Sequence, residues 1–328
     1  MATSLNQAIH RLDASAQKLV NFRSRPLLVM YYPPGASITE FDIGDVYKEL
    51  RNAGAAKEKR LPSVDLLLQT YGGDPVAAYR IAQVIRSACD GVHILAPEHA
   101  YSAGTLMCFS GDEVRLGDFA RLSPIDITIW EQRKSEGVQL AGLDSFLEFA
   151  HGARKKAEEN LKELQRDGAS SSIDSDLLVQ MVKEIGALTV GRYYRERTLT
   201  GHYAQILLES YMFKNASDRR SRAASAIAQF LFGAPSHEFH LDYQFCKDWQ
   251  LKVAEMSTEE SDLGKSVVSE LKNCTSAGFI CQKLSPKVRM PFVRYYRQTP
   301  GSRRSHVNAS SRKTRARARN TQKASGNV

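Results

Sequence analysis

The sequence predicts an α/β fold of parallel strands joined by crossover helices. Three observations predict it. Between residues 64 and 116 strand candidates, an apolar run at 64–70, a second at 92–96 and a third short strand at 113–116, alternate with stretches of helical periodicity (76–86, 103–110). The first run ends in Tyr71-Gly72-Gly73, and Asp74-Pro75 then reads as an N-cap with proline at the first helical position. The chain has 328 residues, 42% hydrophobic and 25% charged, enough to bury the core of one large domain or two small ones. Strand, helix, strand, helix, strand in one sheet forces parallel pairing through right-handed crossovers.

The elements follow in order. Over 5–22, Leu5, Ile9, Leu12, Ala16 and Leu19 share one helical face, which Pro26 closes. Residues 27–32 are an apolar run ended by Pro33-Pro34, and 38–50 has helical spacing. After the 64–116 unit, residues 129–166 turn polar, charged and helical, and 168–175 reads as a loop. Helical patterns return at 177–190, 203–213 and 221–232, Gly233-Ala234-Pro235 marks a turn, and a last short helix is expected over 241–251. Beyond Pro286 the composition shifts to Arg, Lys, Ser, Asn and Thr and from Gly301 it cannot build a core. The expected organisation is an N-terminal helix (1–25), an α/β core (26–130), a helical region (131–232), a return to the core (233–285) and a basic, disordered tail (286–328).

Charge is divided unevenly. The formal net charge is +9. Residues 271–328 hold fourteen Lys and Arg with no Asp or Glu, which leaves 31 basic against 36 acidic residues over 1–270. The tail run Arg312-Lys-Thr-Arg-Ala-Arg-Ala-Arg319 suits a solvated tail or charge-only contact with nucleic-acid phosphates or an anionic surface; without interleaved aromatics it does not suit base stacking. No apolar run reaches transmembrane length and the first 18 residues lack an apolar signal core, so a cytoplasmic protein is expected. The five cysteines (Cys89, Cys108, Cys246, Cys274, Cys281) lack metal-ligand spacing, and no P-loop, HExxH or dinucleotide fingerprint occurs; neither metal nor cofactor is expected.

The chemistry is concentrated in two places. Ser102 falls between a strand and a helix, followed by the small Ala103 and Gly104, where helix-end N–H groups surround its hydroxyl. Gly72 and Gly73 end the neighbouring strand and can offer a further N–H with no side chain in the way. Both fall at the carboxyl edge of a parallel sheet, where ligands bind. A serine hydroxyl needs a base and oxyanion donors to act as a nucleophile. Taken singly, the two features are a turn and a helix cap. Together in one βαβ unit they suggest half of an acyl-transfer site. His99 reads as an exposed loop residue or a pocket wall, and Asp112 as a turn residue shaping the third strand.

The segments Leu66-Leu-Leu-Gln-Thr-Tyr-Gly-Gly-Asp74, Ala100-Tyr-Ser-Ala-Gly-Thr105, Gly111-Asp-Glu-Val-Arg-Leu-Gly117 and Leu122-Ser-Pro-Ile-Asp126 resemble the serine dehydrogenase proteinase family of the ClpP/crotonase superfamily, to which signal peptide peptidase A is related. The resemblance is dense over 60–130 and returns at Gly233-Ala-Pro-Ser-His-Glu-Phe239. Tyr71 stands where that family shows proline. The resemblance implies a ClpP/crotonase-like α/β fold with a helical insertion. It further implies a serine endopeptidase acting through an acyl-enzyme on Ser102, an oxyanion hole at Gly73 and Ala103 beside Gly72, peptide or protein substrates, and a homo-oligomer. No histidine lies between His99 and His151. Asp126 falls near the position of the ClpP histidine and His237 near that of its aspartate. This suggests a swapped triad of Ser102, His237 as base and Asp126 as orienting carboxylate, which geometry permits in any chain order. Lys155 or Lys156, spaced like the lysine of signal peptide peptidases, is the alternative base, although Arg154-Lys155-Lys156-Ala-Glu-Glu159 also reads as a solvated helix. A catalytically inactive scaffold and a crotonase-like acyl-transfer enzyme are the other readings.

Overall fold

The computed structural model describes residues 2–125, 128–130, 137–139, 187–276 and 292–298. In chain order the elements are α1 (Ala2–Arg23), β1 (Leu27–Tyr31), α2 (Asp42–Asn52), β2 (Val64–Gln69), α3 (Pro75–Ala88), β3 (Val92–Ala96), β4 (His99–Ala100), α4 (Ala103–Cys108), β5 (Glu113–Leu116), β6 (Arg121–Leu122), β7 (Thr128–Trp130), β8 (Gly137–Gln139), α5 (Ala187–Leu207), α6 (Arg219–Ala228), α7 (Tyr243–Asp248), β9 (Val253–Glu255), α8 (Thr258–Ser276) and β10 (Phe292–Tyr296). Single π-helical turns, Leu208–Met212 and Gln229–Gly233, extend α5 and α6.

The central sheet has the order β10-β1-β2-β3-β5-β9. Its neighbours from β1 to β9 pair in parallel, and β10 closes one edge antiparallel to β1. This is the α/β architecture the alternating pattern predicts. Strands buried on both faces need apolar side chains on both, which is why β1 and β2 read as continuous apolar runs. The period of two sorts them. Leu28, Met30, Leu66, Leu68 and Ile94 face Val46 and Leu50 of α2, Ala78, Ile81 and Ile85 of α3, and Leu106 of α4. Val29, Leu67 and Leu95 face Leu12, Ala16 and Leu19 of α1 and Val267, Val268 and Leu271 of α8.

Several elements differ from expectation. β10 lies inside 286–328, expected as a disordered tail, because its apolar and aromatic residues pair with β1 and cover the sheet edge. The strand pair β7–β8 falls where helix is expected, and α5 runs through the gap between the helices expected over 177–190 and 203–213. The helix expected from Ile38 begins at Asp42, because Ile38 pairs instead with Gly73. The helix expected over 241–251 is the shorter α7, whose N-cap Asp242 accepts from the Phe245 amide. The chain then supplies β9 and the long α8, neither of which the apolar pattern marks. Three residues are too few for a strand period, and the charged start of α8 masks its Leu263, Val267, Leu271 stripe. Asp74 caps α3 as expected, accepting from the Val76 and Ala77 amides ahead of Pro75.

Cys89, Cys108, Cys246 and Cys274 are buried free thiols, and burial raises Cys89 and Cys108 to about 12, which keeps them protonated and inert. Among the described residues no helix is long and apolar enough to cross a membrane, and no cluster of His, Cys, Asp and Glu could hold a metal ion. Asp126, Lys155, Lys156, Cys281, the 168–175 loop and the 301–328 part of the tail lie outside the described residues.

Candidate active site

The strand end at Gly72-Gly73 is shaped by hydrogen bonds that only glycine permits. β2 leads into Thr70, whose amide donates to the His99 carbonyl (3.3 Å) while its carbonyl accepts from the Tyr101 amide (3.0 Å). The tip of β2 is thereby tied to the chain leading into Ser102. The Gly72 amide then turns back to Thr70 Oγ1 (3.0 Å). The Gly72 carbonyl accepts from the Ile38 amide (2.8 Å), and the Ile38 carbonyl accepts from the Asp74 amide (2.9 Å). Gly72 has φ 111° and Gly73 φ 147°, values L residues rarely adopt. A Cβ on Gly72 would lie 2.9 Å from Ser102 Cβ and 3.5 Å from its Oγ; a Cβ on Gly73 would run into the Ile38 backbone. The two glycines therefore bring bare backbone against the serine.

Ser102 is the N-cap residue of α4, yet its backbone has φ 51° and ψ −114° and its hydroxyl makes no capping bond. A non-glycine residue held there costs about 1–3 kcal/mol, and such residues cluster at functional sites. The backbone is held on both sides. The Ser102 amide donates to Ser123 Oγ (2.7 Å), and its carbonyl accepts from the Leu106 amide (3.0 Å). Among the described residues the Ser102 hydroxyl, the Gly73 amide and the Ala103 amide meet no hydrogen-bond partner. A hydroxyl free to react and two amides free to donate thus occur in one small region, where an oxyanion needs its donors.

The segment after α6 returns to this place. The π turn leaves the Phe230 carbonyl free to accept from the Ile125 amide (3.1 Å), and Leu122 and Leu241 exchange both backbone bonds (2.9 Å each). His237 is half-buried in the turn just before, and His240, next to Leu241, stacks on Tyr101 with ring centroids 5.1 Å apart and planes at 10°. Tyr101 also stacks on His99 at 4.9 Å, and His99 meets Tyr71 at 4.3 Å. A row of four rings, Tyr71, His99, Tyr101 and His240, therefore runs beside the residues preceding both Gly72-Gly73 and Ser102. Burial, opposed by the Glu98 carboxylate, lowers the His99 imidazole from 6.5 to about 4, so this ring is neutral at pH 7.

Of the residues singled out from the sequence, Gly72, Gly73, Ser102 and Ala103 come together, and the 233–241 segment carrying His237 is brought back beside Ser123. Two expectations are corrected. His99 is not on a loop but in the short strand β4, half-buried, with its ring against the Gln69 amide nitrogen (2.8 Å). Gly72 gives no N–H to the site, since Thr70 Oγ1 takes it; the free donor is Gly73. Asp112 shapes β3 and β5 as expected, accepting from the Val92 amide (2.9 Å) and pairing with Arg86 (2.7 Å) and Lys214 (2.7 Å). Sequence reasoning assigned nothing to Ser123 or His240. Ser123 lies within the quoted Leu122-Ser-Pro-Ile-Asp126 motif; His240 carries no sequence signal.

No protein-family model matches the chain. An uncharacterized protein of Methanocaldococcus jannaschii, MJ0137, is 29% identical over 92 residues, which are 28% of this chain and 32% of that protein. The match therefore spans about a third of the curated relative's length. Among solved structures, a variant of the 1510-N membrane-bound stomatin-specific protease aligns over 71% of this chain and 79% of its own, at 10% identity and a TM-score of 0.40. A second variant of that protease, in complex with a substrate peptide, aligns over 71% and 77%, at 13% identity and 0.38. The ClpP protease catalytic domain of Plasmodium falciparum aligns over 70% and 86%, at 8% identity and 0.35.

Proposed function

We propose that this chain is a ClpP-like serine peptidase that cleaves peptide bonds through an acyl-enzyme on Ser102. The observation that carries the reading is the state of Ser102, whose backbone is pinned in a strained conformation while its hydroxyl is left unbonded next to the bare Gly72-Gly73 backbone. A serine serving only as a helix cap would turn its hydroxyl onto the first-turn amides. In the proposed reaction Ser102 Oγ attacks the scissile carbonyl carbon and the base takes its proton. The carbonyl electrons move onto oxygen, held by the Gly73 and Ala103 N–H groups. Collapse expels the amine, which carries the proton away from the base, and water repeats the sequence on the ester to release the acid. His237 is the proposed base and Asp126 the carboxylate that orients it; Lys155 or Lys156 is the alternative base. Substrates are peptides or proteins, and the working form is a homo-oligomer.

The test is covalent labelling with a fluorophosphonate. The purified chain is expected to label at Ser102, with labelling abolished in Ser102→Ala. Labelling that survives this substitution removes the nucleophile assignment, and a folded chain that never labels removes the peptidase reading.

A further inference from the structure

We infer that Ser123 is a positioning residue for the nucleophile, holding Ser102 in its strained conformation and withdrawing the Ser102 amide from the oxyanion hole; the inference rests on the peptidase reading of Ser102. Ser102 N–H donates to Ser123 Oγ at 2.7 Å, shorter than the other hydrogen bonds these two residues make among the described residues (3.0–3.1 Å). Ser123 Oγ in turn donates to the Pro124 carbonyl (3.1 Å). A hydroxyl has one proton and can donate only once. With that proton directed at Pro124, the oxygen faces Ser102 N–H as an acceptor. The orientation is therefore fixed by the Pro124 carbonyl and not left to rotate.

The seat of Ser123 is fixed the same way. Its amide donates to Thr105 Oγ1 (3.1 Å), and Thr105 Oγ1 donates to the Ala100 carbonyl (2.8 Å). Two hydroxyls, each acting as donor and acceptor, thus link the last residue of β4, the first turn of α4 and the end of β6. Thr105 and Ser123 are 0% and 3% exposed, so water does not compete for these bonds. The neighbouring Leu122 is locked between Ala100 on one side and Leu241 on the other, so Ser123 cannot drift.

The consequence is chemical as well as steric. An attacking serine whose own amide is free can donate it to the oxyanion, but here that amide is taken. The oxyanion donors are then Gly73 and Ala103, one on each side of the serine. The strained φ of Ser102 is what lifts its hydroxyl away from the first-turn amides. Without an acceptor on its amide, Ser102 loses the restraint on its N–H and can relax toward an ordinary N-cap, in which the hydroxyl bonds to α4; its carbonyl bond to Leu106 is kept in either conformation.

The experiment compares wild type, Ser123→Ala and Ser123→Thr, which restores a hydroxyl. Three quantities are read: the fluorophosphonate labelling rate, KM and kcat on a peptide that wild type cleaves, and hydrogen exchange at the Ser102 amide. The expected result is a labelling rate and kcat about 100-fold lower in Ser123→Ala, with KM and the pH–rate profile unchanged, partial recovery in Ser123→Thr, and slow Ser102 amide exchange in wild type that becomes fast in Ser123→Ala. Wild-type labelling or kcat in Ser123→Ala overturns the inference, as does a Ser102 amide that exchanges in wild type as fast as an open peptide. The last readout needs only the wild-type chain, so it decides even where Ser123→Ala does not fold. A wild type that does not label removes the peptidase reading instead, and amide exchange still tells whether Ser123 restrains Ser102.

Discussion

On the face of the sheet covered by α1 and α8, an apolar cluster is bordered by buried charge that links the elements; around Ser102 the side-chain links are neutral hydroxyls. Arg23 of α1 pairs with Asp65 of β2 (2.9 Å) and with Glu260 of α8 (3.0 Å), and Glu260 also pairs with Arg115 of β5 (2.8 Å). Asp65 and Glu260 are 1% and 2% exposed at their side chains. At the serine, the hydroxyls of Thr105 and Ser123 link β4, β6 and α4, and the Thr70 backbone ties the end of β2 to β4. The difference has a physical reason. A buried ion pair fixes which helix docks where, because any other partner leaves a charge unpaired. Beside a nucleophile the same charges would act over several ångströms on the oxyanion that forms. Hydroxyls fix geometry at short range and leave the field to the oxyanion donors.

The comparison breaks first at Glu260. Glu260→Gln removes the carboxylate charge that Arg115 and Arg23 share, leaving among the described residues Glu113 (3.4 Å) as the carboxylate beside Arg115 and Asp65 (2.9 Å) as that beside Arg23. Removing one member of a buried pair is expected to cost about 3 kcal/mol, measured as a lower denaturant midpoint. The Ser102 labelling rate of the folded protein should stay at its wild-type value. Loss of labelling at full folding would show that the two regions are coupled and the division is wrong.

A smaller effect is expected at His99, whose imidazole is held by burial below its ordinary pKa. Its folded value, about 4, lies below the ordinary 6.5. Between those values the unfolded chain binds a proton that the folded chain refuses, so stability rises with pH across the window. The contribution is complete above about pH 6.5 and is lost as the pH falls toward 4. His99→Gln is expected to flatten the denaturant midpoint over that range; a midpoint that keeps its wild-type slope places the titration elsewhere. Because the ring is already neutral at pH 7, labelling there should not change.

How much of this was legible differs between the same two regions. β1, β2 and β3 announce themselves because strands buried on both faces cannot hide their apolar runs; β5 shows only Val114 and Leu116 alternating with Glu113 and Arg115; and Asp74-Pro75 and Gly72-Gly73 are local rules of backbone and capping. Ser102 is legible for the same reason, as the residue at a strand-to-helix junction. The ion-pair face was not legible. Arg23, Asp65, Arg115 and Glu260 lie far apart in sequence, and a charged residue in a pattern reads as solvated until the fold buries it. Ser123 failed for a related reason: a serine before a proline reads as a turn, and only β6 pairing with β4 carries its hydroxyl to Ser102. The return of 233–241 depends on the Leu122–Leu241 bridge, which no periodicity encodes.

The smallest effect sharpens the assignment of the base. His240 is exposed and lies flat on Tyr101, the residue before the nucleophile, while His237 is three residues earlier and half-buried. If the ring row serves only as a wall, His240→Phe keeps the stack and leaves both turnover and its pH profile unchanged. His240→Ala loses about 0.5 kcal/mol, the low end for an aromatic pair at an exposed edge, again with turnover intact, and His237→Ala abolishes turnover. A different pattern reverses the roles: full activity in His237→Ala, with His240→Phe inactive and rescued by added imidazole. A phenyl ring keeps the packing and has no nitrogen to accept the proton, so it separates the wall from the base where alanine, which removes both, does not.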